Sequence, residues 1–131
     1  MPISLGLTGG ASVPVTEENT ARTMGSGNLP VFATPAMAAL MEQAAERSLL
    51  PYLEPGQGSV GIALSLSHIS ATPVGLTVRA KSEVIAIDGK KITFSVSAYD
   101  DAGLIGEGTH QRFLINDEAF LAKAQKKKEA V

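Results

Sequence analysis

The hydrophobic pattern divides the chain into a helical segment and a second half of strands. From Pro35 to Ala45 every residue is apolar except Glu42 and Gln43, which predicts a helix buried on most sides. Pro51 disfavours helical backbone in the residue before it, so we expect this helix to run from Pro35 to about Leu50. Thr34 is placed to cap the first turn with its side-chain oxygen, and Pro35 suits the first helical position.

The second half alternates large apolar residues with small or polar ones, which is typical of β-strands. Asp88-Gly89 is a strong hairpin signal, and Asp117 is placed to cap a short terminal helix. We expect five strands, at Ala11–Val15, Val60–His68, Leu76–Ile87, Ile92–Tyr99 and Leu104–Ile115. On this alternation His68 shares one strand face with four large apolar residues, Val60, Ile62, Leu64 and Leu66.

The order of these elements predicts the fold class. One strand, one long buried helix and a meander of about four strands within 131 residues favour a single domain, residues 1–131, of the α+β class. An antiparallel sheet would wrap around the one helix. A single helix covers only one face of a sheet, so the other face should seek a partner, and we expect at least a dimer.

Composition excludes several function classes. The chain has no cysteine, which excludes disulfides, thiolate metal sites and a cysteine nucleophile. A net charge of −2 and 5% aromatic residues argue against nucleic-acid binding. The sequence shows no signal-peptide pattern and no apolar run of about 20 residues, so we expect a cytoplasmic protein without membrane contact. The spacing of the two histidines fits no metal motif, and we expect no metal site.

Three residues of the first two-thirds of the chain could carry chemistry. Glu42 lies inside the apolar run, where an unpaired charge is costly. Thr34 lies eight positions before it, roughly two helical turns, so both side chains could border one cleft. His68 ends an apolar strand face. Each also has a simpler interpretation, because Thr34 could only cap the helix, Glu42 could face solvent and His68 could be a half-exposed strand residue.

The last predicted strand adds a second group of candidates. Gly106, Gly108, His110 and Arg112 share one face of it. Glycines two apart in a strand indicate close approach of a ligand or another backbone, or close packing of the helix. Arg112 could pair with a carboxylate, a phosphate or solvent. Whether His110 takes part in a site is left open.

Four segments together resemble a known family. They are Phe32-Ala33-Thr34-Pro35 with Leu40-Met41-Glu42, Pro51 to Gly56, Val60-Gly61 with Ser67 to Val78, and Ile105 to Arg112. From about Val15 to near Phe120 the chain is similar to the fluoroacetyl-CoA thioesterases. The resemblance implies the hotdog fold, hydrolysis of a short acyl-CoA, and a homodimer or dimer of dimers with sites between subunits. It implies no cofactor, since CoA is part of the substrate.

The resemblance also implies roles for individual residues. Matched by motif, the catalytic residues are Thr34, Glu42 and His68, and the substrate-binding residues are Gly61, Arg112 and Phe32. Thioester hydrolysis needs a nucleophile or activated water, a base and donors to the oxyanion. Glu42 would act as the base or the nucleophile. His68 would hold and protonate the leaving thiolate or help to activate the water, and Thr34 would orient the carboxylate or accept the acyl group.

One departure from the family pattern bears on selectivity. The fluoroacetyl-specific enzyme has an aromatic lid residue just before its Val-Phe-Ala-Thr segment, whereas Gly25 to Pro30 contains no aromatic residue here. We therefore expect a broader or different acyl preference, with the loop at residues 24–30 as a candidate lid. Two alternatives use the same fold: a non-catalytic acyl-CoA-binding protein and a hotdog enoyl-CoA hydratase.

Overall fold

The computed structural model describes residues 2–131 and consists of a curled antiparallel sheet around one long helix. The strands pair in the order β1-β3-β4-β5-β2. They are β1 (Thr8–Pro14), β2 (Gln57–His68), β3 (Thr77–Asp88), β4 (Lys91–Asp100) and β5 (Gly103–Asn116). The helices are α1 (Ala21–Met24), α2 (Thr34–Leu49) and α3 (Asp117–Gln125), with 3-10 turns at Glu17–Asn19, Leu50–Tyr52 and Lys126–Glu129. The expected α+β hotdog arrangement is confirmed.

Helix α2 forms the centre of the core because its apolar residues recur on the side that faces the sheet. Opposite the helix, the inward side chains of β3, β4 and β5 complete the core, among them Phe94, which is fully buried. Gly106 of β5 allows close approach, since a Cβ there would lie 2.6 Å from the Met37 sulfur. The buried residues of α2 are Met37, Leu40, Met41, Ala44, Ala45, Ser48 and Leu49.

Two predicted helix caps are wrong by one residue. The N-cap of α2 is Ala33, and Thr34 is already helical, with its hydroxyl bonded to another part of the chain. The N-cap of α3 is Asn116 rather than Asp117, because the Asn116 side chain accepts a hydrogen bond from the Ala119 amide at 2.9 Å. Asp117 instead lies in the first turn, where a negative charge suits the helix dipole.

The predicted face of β2 is also wrong, because the strand contains a bulge. Gly61 pairs with Arg112 and Ala63 with Gln111, so Ile62 is an extra residue without a partner on β5. An extra residue reverses the side-chain alternation. His68 therefore shares the inward face with Leu64 and Leu66, whereas Ile62 is turned outward and is 50% exposed. The inward position before the bulge is taken by Gly61.

Turns and the outer face follow the sequence more closely. Asp88-Gly89 forms the β3–β4 turn, with Gly89 at a φ of 60°, as the hairpin signal predicted. The outward face of the sheet carries large exposed apolar side chains, including Ile85, Tyr99 and Phe113. Among residues 2–131, no helix combines the length and the apolar character that crossing a membrane requires.

Candidate active site

A hydroxyl and an imidazole meet where helix α2 begins and strand β2 ends. The Oγ1 atom of Thr34 lies 2.8 Å from Nδ1 of His68, although the residues are 34 positions apart. The segment before α2 is held from two sides. The Phe32 amide donates to the Thr72 carbonyl at 2.8 Å, and the Ala33 amide donates to the Asn19 carbonyl at 2.9 Å. Tertiary hydrogen bonds therefore fix the Thr34 hydroxyl against His68.

The other nitrogen of His68 has no partner. Nε2 is buried, and no atom of residues 2–131 accepts or donates a hydrogen bond there. Burial lowers the pKa of His68, and the Ser70 backbone partly opposes this, so the imidazole is neutral near pH 7. Buried polar atoms in native proteins almost always have a partner. A neutral ring nitrogen left open indicates that a ligand or a reacting group completes the site.

A small cavity lies in front of this pair. Its volume is about 280 Å³, and its lining includes Thr34, His68, Phe32 and Ser26 of the loop at residues 24–30. Phe32 is 2% exposed and also lines a larger cavity of about 570 Å³ beside Pro14 and Leu40. The linings of the two cavities therefore share Phe32.

The start of α2 offers two backbone donors beside Thr34. The Met37 amide donates to the Ala33 carbonyl at 3.0 Å, so the earlier amides have no acceptor within the helix. Pro35 has no N–H, which leaves the amides of Thr34 and Ala36. Amides at a helix N-terminus favour negative charge and can stabilise an oxyanion.

Glu42 lies in a second group of residues, two turns further along α2. Its Oε2 atom is 3.9 Å from Nη1 of Arg112, and the side chain is 43% exposed. A Cβ added to Gly61 would lie 2.7 Å from the same oxygen. The carboxylate therefore rests on the backbone of β2 just before the bulge, in the space that the missing side chain of Gly61 leaves open.

Arg112 is held rigidly behind Glu42. Its Nε donates to Oγ of Ser59 at 2.8 Å, and its Nη2 donates to the Ser59 carbonyl at 3.0 Å. Nη1 is 3.2 Å from Nε2 of His110, whose Nδ1 lies 2.8 Å from the Ala63 carbonyl. Burial lowers the pKa of Arg112, and the carboxylates of Glu42 and Glu46 oppose this.

The structure thus brings the predicted residues together in two groups. Thr34, His68 and Phe32 line one cavity, whereas Glu42 lies with Gly61 and Arg112. Within one protomer the groups are apart, since eight helical residues separate Thr34 from Glu42 by about 12 Å along the axis. Gly61 lies near the middle of β2 and His68 at its end, and β2 is an edge strand of the sheet.

Sequence reasoning missed two supporting residues and left a third open. Ser59 holds Arg112 through both its hydroxyl and its carbonyl, but only the β2–β5 register reveals this. Thr72 is fully buried and donates to Oδ2 of Asp100 at 2.8 Å. Oδ1 of Asp100 accepts hydrogen bonds from the amides of Ala102 and Gly103. An aspartate that accepts from amides two and three residues later is a recognisable turn signal. His110, left open above, contacts Arg112.

The described residues contain no cluster of three or more His, Cys, Asp or Glu side chains placed to hold a metal ion. The expectation that no metal or other cofactor takes part stays a prediction. What the site offers is a hydroxyl, a neutral imidazole, two backbone amides and, in the second group, a carboxylate. These are the groups that acyl transfer requires.

Comparisons with known proteins agree with a site that carries out acyl transfer. The family described as fluoroacetyl-CoA-specific thioesterase matches residues 15–118. A fluoroacetyl-CoA thioesterase of Streptantibioticus cattleyicolor is 47% identical over 97 residues, which are 74% of this chain and 70% of that protein. A solved structure of the fluoroacetyl-CoA thioesterase is 38% identical with a TM-score of 0.91, covering 97% of this chain and 98% of the other.

A more distant relative shows the same architecture. A thioesterase superfamily member from Thermus thermophilus is 30% identical with a TM-score of 0.89, covering 99% of this chain and 98% of the other. The family match spans most of the described residues, including both groups of the site. The chain therefore belongs to the fluoroacetyl-CoA-specific thioesterase family.

Proposed function

We propose that the protein hydrolyses the thioester of a short acyl-CoA to the free acid and CoA. The observation that carries this proposal is the Thr34–His68 pair, which lines a small cavity and in which the buried Nε2 of His68 lacks a hydrogen-bond partner. Relatives named fluoroacetyl-CoA thioesterase support the class of reaction. The reaction uses water and the protein's own side chains, with no further cofactor.

The cavity supports a short acyl group. It is about 280 Å³ in volume, and the buried residue Phe32 forms part of its wall. The loop from Gly25 to Pro30 brings no aromatic side chain to the cavity mouth. An apolar gate would exclude water and favour a C–F group, so we propose an acyl preference broader than fluoroacetyl.

Two copies of the chain would complete the site. Strand β2 is a sheet edge, and an exposed edge of 12 residues is a template for pairing with another strand. Antiparallel pairing of two such edges about a two-fold axis between Leu64 and Ser65 would set Gly61 of one protomer opposite His68 of the other, and so bring Glu42 toward the second protomer's His68. The sequence predicted a dimer through the outer face, whereas the site favours the β2 edge.

In this composite site each group has a chemical task. Glu42 takes a proton from water, which adds to the acyl carbon, and the amides of Thr34 and Ala36 stabilise the oxyanion. When the Thr34 hydroxyl donates to Nδ1 of His68, the imidazole proton is on Nε2. Nε2 can then donate a hydrogen bond to the sulfur as the C–S bond breaks, and the proton that Glu42 took from the water passes to the departing thiolate, which releases CoA as a thiol and restores the carboxylate.

Mixed dimers test this arrangement directly. We expect Thr34→Val and Glu42→Gln homodimers to lose about 10²-fold or more in the rate of thiol release from acetyl-CoA or another short ester. In a mixed dimer one of the two composite sites has both native residues. Random re-pairing of the two variants should therefore restore about a quarter of the wild-type activity, since half the dimers are mixed and each has one intact site of two.

A matched mixture provides the control. Thr34 and His68 belong to one protomer, so mixing Thr34→Val with His68→Ala should restore nothing. Recovery of activity in both mixtures, or in neither, would contradict a site shared between two protomers.

Other outcomes would contradict the proposed reaction itself. A Glu42→Gln rate equal to wild type would remove Glu42 from the reaction. Tight binding of acyl-CoA without turnover would favour a binding protein, and loss of crotonyl-CoA absorbance without thiol release would favour a hydratase.

A further inference from the structure

His110 is a buried group that the proposed reaction does not use. It lies on β5 with 1% of its surface exposed, and its ring stacks on Phe94 with a centroid distance of 6.1 Å. A Cβ added to Gly61 would lie 3.1 Å from its Cε1 atom. The imidazole is therefore packed directly behind the position where Glu42 rests on β2.

The hydrogen bonds of His110 define its protonation state. The Ala63 carbonyl can only accept, so Nδ1 carries the proton. The Arg112 guanidinium can only donate, so Nε2 presents its lone pair. Burial lowers the pKa of His110, with the Arg112 charge acting in the same direction, while the Ala63 carbonyl and the Glu42 carboxylate oppose this. A neutral ring with the proton on Nδ1 satisfies both partners.

This bond restrains Arg112. Ser59 engages Nε and Nη2, and His110 engages Nη1, so the guanidinium is held on three sides. It stays 3.9 Å from Oε2 of Glu42, beyond hydrogen-bond distance. A free arginine would form a bidentate pair with a carboxylate, and a carboxylate paired in that way has fewer lone pairs with which to accept a proton.

We infer that His110 is a positioning residue, which holds Arg112 near Glu42 but prevents the two from forming a direct bidentate pair. The positive charge then keeps the carboxylate over Gly61, while its oxygens stay available to the reacting water. This inference rests on the proposed function, because it takes Glu42 as the base.

Two substitutions separate this role from a merely structural one. His110→Phe keeps a ring against Phe94 but loses both hydrogen bonds, whereas His110→Gln has an amide that can donate to Ala63 and accept from Arg112. With acetyl-CoA as substrate, we expect kcat to fall about 10-fold or more in His110→Phe, as misplaced catalytic groups do. KM should change less than about threefold, since the buried His110 lines neither cavity, and His110→Gln should keep most of the wild-type kcat.

A neighbouring position provides the control. Gln111 lies on the opposite face of β5 and donates to Thr93 at 3.3 Å, so Gln111→Leu also removes one side-chain hydrogen bond. Its kcat should match wild type. A His110→Phe kcat within twofold of wild type, or equal losses in the Phe and Gln variants, would overturn the inference.

A measurement on the wild-type protein covers the case in which His110→Phe does not fold. The chain has two histidines, so ¹⁵N chemical shifts can report the tautomer of each ring. At pH 7 His110 should be neutral with the proton on Nδ1, and a proton on Nε2 would overturn the inference. If wild type hydrolyses no acyl-CoA, the proposed function fails; if it does and His110→Phe is unaffected, only this inference fails.

Discussion

The two groups of the site differ in how they keep a reactive atom available. At Thr34 and His68 both groups are neutral, and a buried ring nitrogen has no partner. Around Glu42 the charged Arg112 is held by Ser59 and His110. One group is reactive because a partner is missing, and the other because a partner is kept at a distance. In the proposed reaction Glu42 is the base and the amides beside Thr34 form the oxyanion site, so each group supplies what the other lacks.

The two groups also differ in what supports them. Glu42 and Arg112 lie in the middle of regular elements, α2 and β5. Thr34 follows a segment without regular structure that depends on a few hydrogen bonds to the Asn19 and Thr72 carbonyls. A substitution near Thr34 should therefore act by destabilising the segment before α2. A substitution near Glu42 should act by displacing side chains.

The largest expected effect comes from crowding the Glu42 group with Gly61→Ala. The new Cβ would lie 2.7 Å from Oε2 of Glu42 and 3.1 Å from Cε1 of His110. The flexible, half-exposed Glu42 side chain can move aside and the His110 ring must give by only a few tenths of an ångström, so the rate should be affected more than the free energy of unfolding. A displacement of about 1 Å can cost 10²-fold in rate, and we expect kcat to fall by about that factor, measured by thiol release.

Gly10→Ala is the matched control for this change. Gly10 lies in β1, and a Cβ there would come no closer than 3.6 Å to the Ala80 carbonyl, an ordinary contact. Its kcat should equal that of wild type. If Gly61→Ala hydrolyses acyl-CoA as fast as Gly10→Ala does, the position of the Glu42 carboxylate does not limit the reaction.

A smaller effect is expected from loosening the support of Thr34 with Thr72→Val. The Thr72 hydroxyl donates to buried Asp100, and together with the Ala102 and Gly103 amides it holds the pKa of that carboxyl below its usual value. Removing a buried hydrogen bond to a charged group costs about 1.5–3 kcal/mol. We expect the free energy of unfolding, measured in urea at pH 7, to fall by about that amount.

The pH dependence identifies the cause of this loss. Because the folded-state pKa of Asp100 is lowered, its contribution is present above the unfolded value of about 3.9 and is lost as pH falls through the folded value. The deficit of Thr72→Val should therefore shrink in acid. Thr109→Val, at an exposed position on β5, should stay within about 0.5 kcal/mol of wild type. Equal losses in both variants would remove Thr72 as a specific support.

What the sequence predicted well was local in origin. The apolar run after Pro35 located α2, and Asp88-Gly89 located a hairpin, because helix periodicity and turn geometry depend on neighbouring residues. Apart from the one-residue error at the cap of α3, the errors arose from distant partners. Thr34 has the residue type of an N-cap, but His68, 34 positions away, binds its hydroxyl. The bulge at Ile62 has no local signal, since only pairing with Gln111 and Arg112 shows the extra residue.

The candidate site also has one part that the sequence predicted and one part that it could not. Residue types indicated Thr34, Glu42, His68 and Arg112 as candidates, and the family resemblance assigned them roles. The sequence could not place them in two groups, because that depends on how far apart α2 carries Thr34 and Glu42 and on which strand lies behind each. Ser59 and His110 acquire their contacts only through the β2–β5 pairing.

The smallest expected effect is a change in the histidine pKa values of Glu42→Gln, and it tests whether the two groups meet. Burial lowers both histidine pKa values, and the Glu42 charge in the same protomer raises that of His110. A negative charge nearby favours the protonated ring, so losing it should lower the pKa of His110 further. If the Glu42 carboxylate of one protomer also lies against His68 of the other, the pKa of His68 falls too. Ring C–H resonances titrated by NMR between pH 4.5 and 8 would follow both histidines at once. A shift confined to His110 would mean that the Glu42 carboxylate does not reach the imidazole bonded to Thr34, and the proposed composite site would then be wrong.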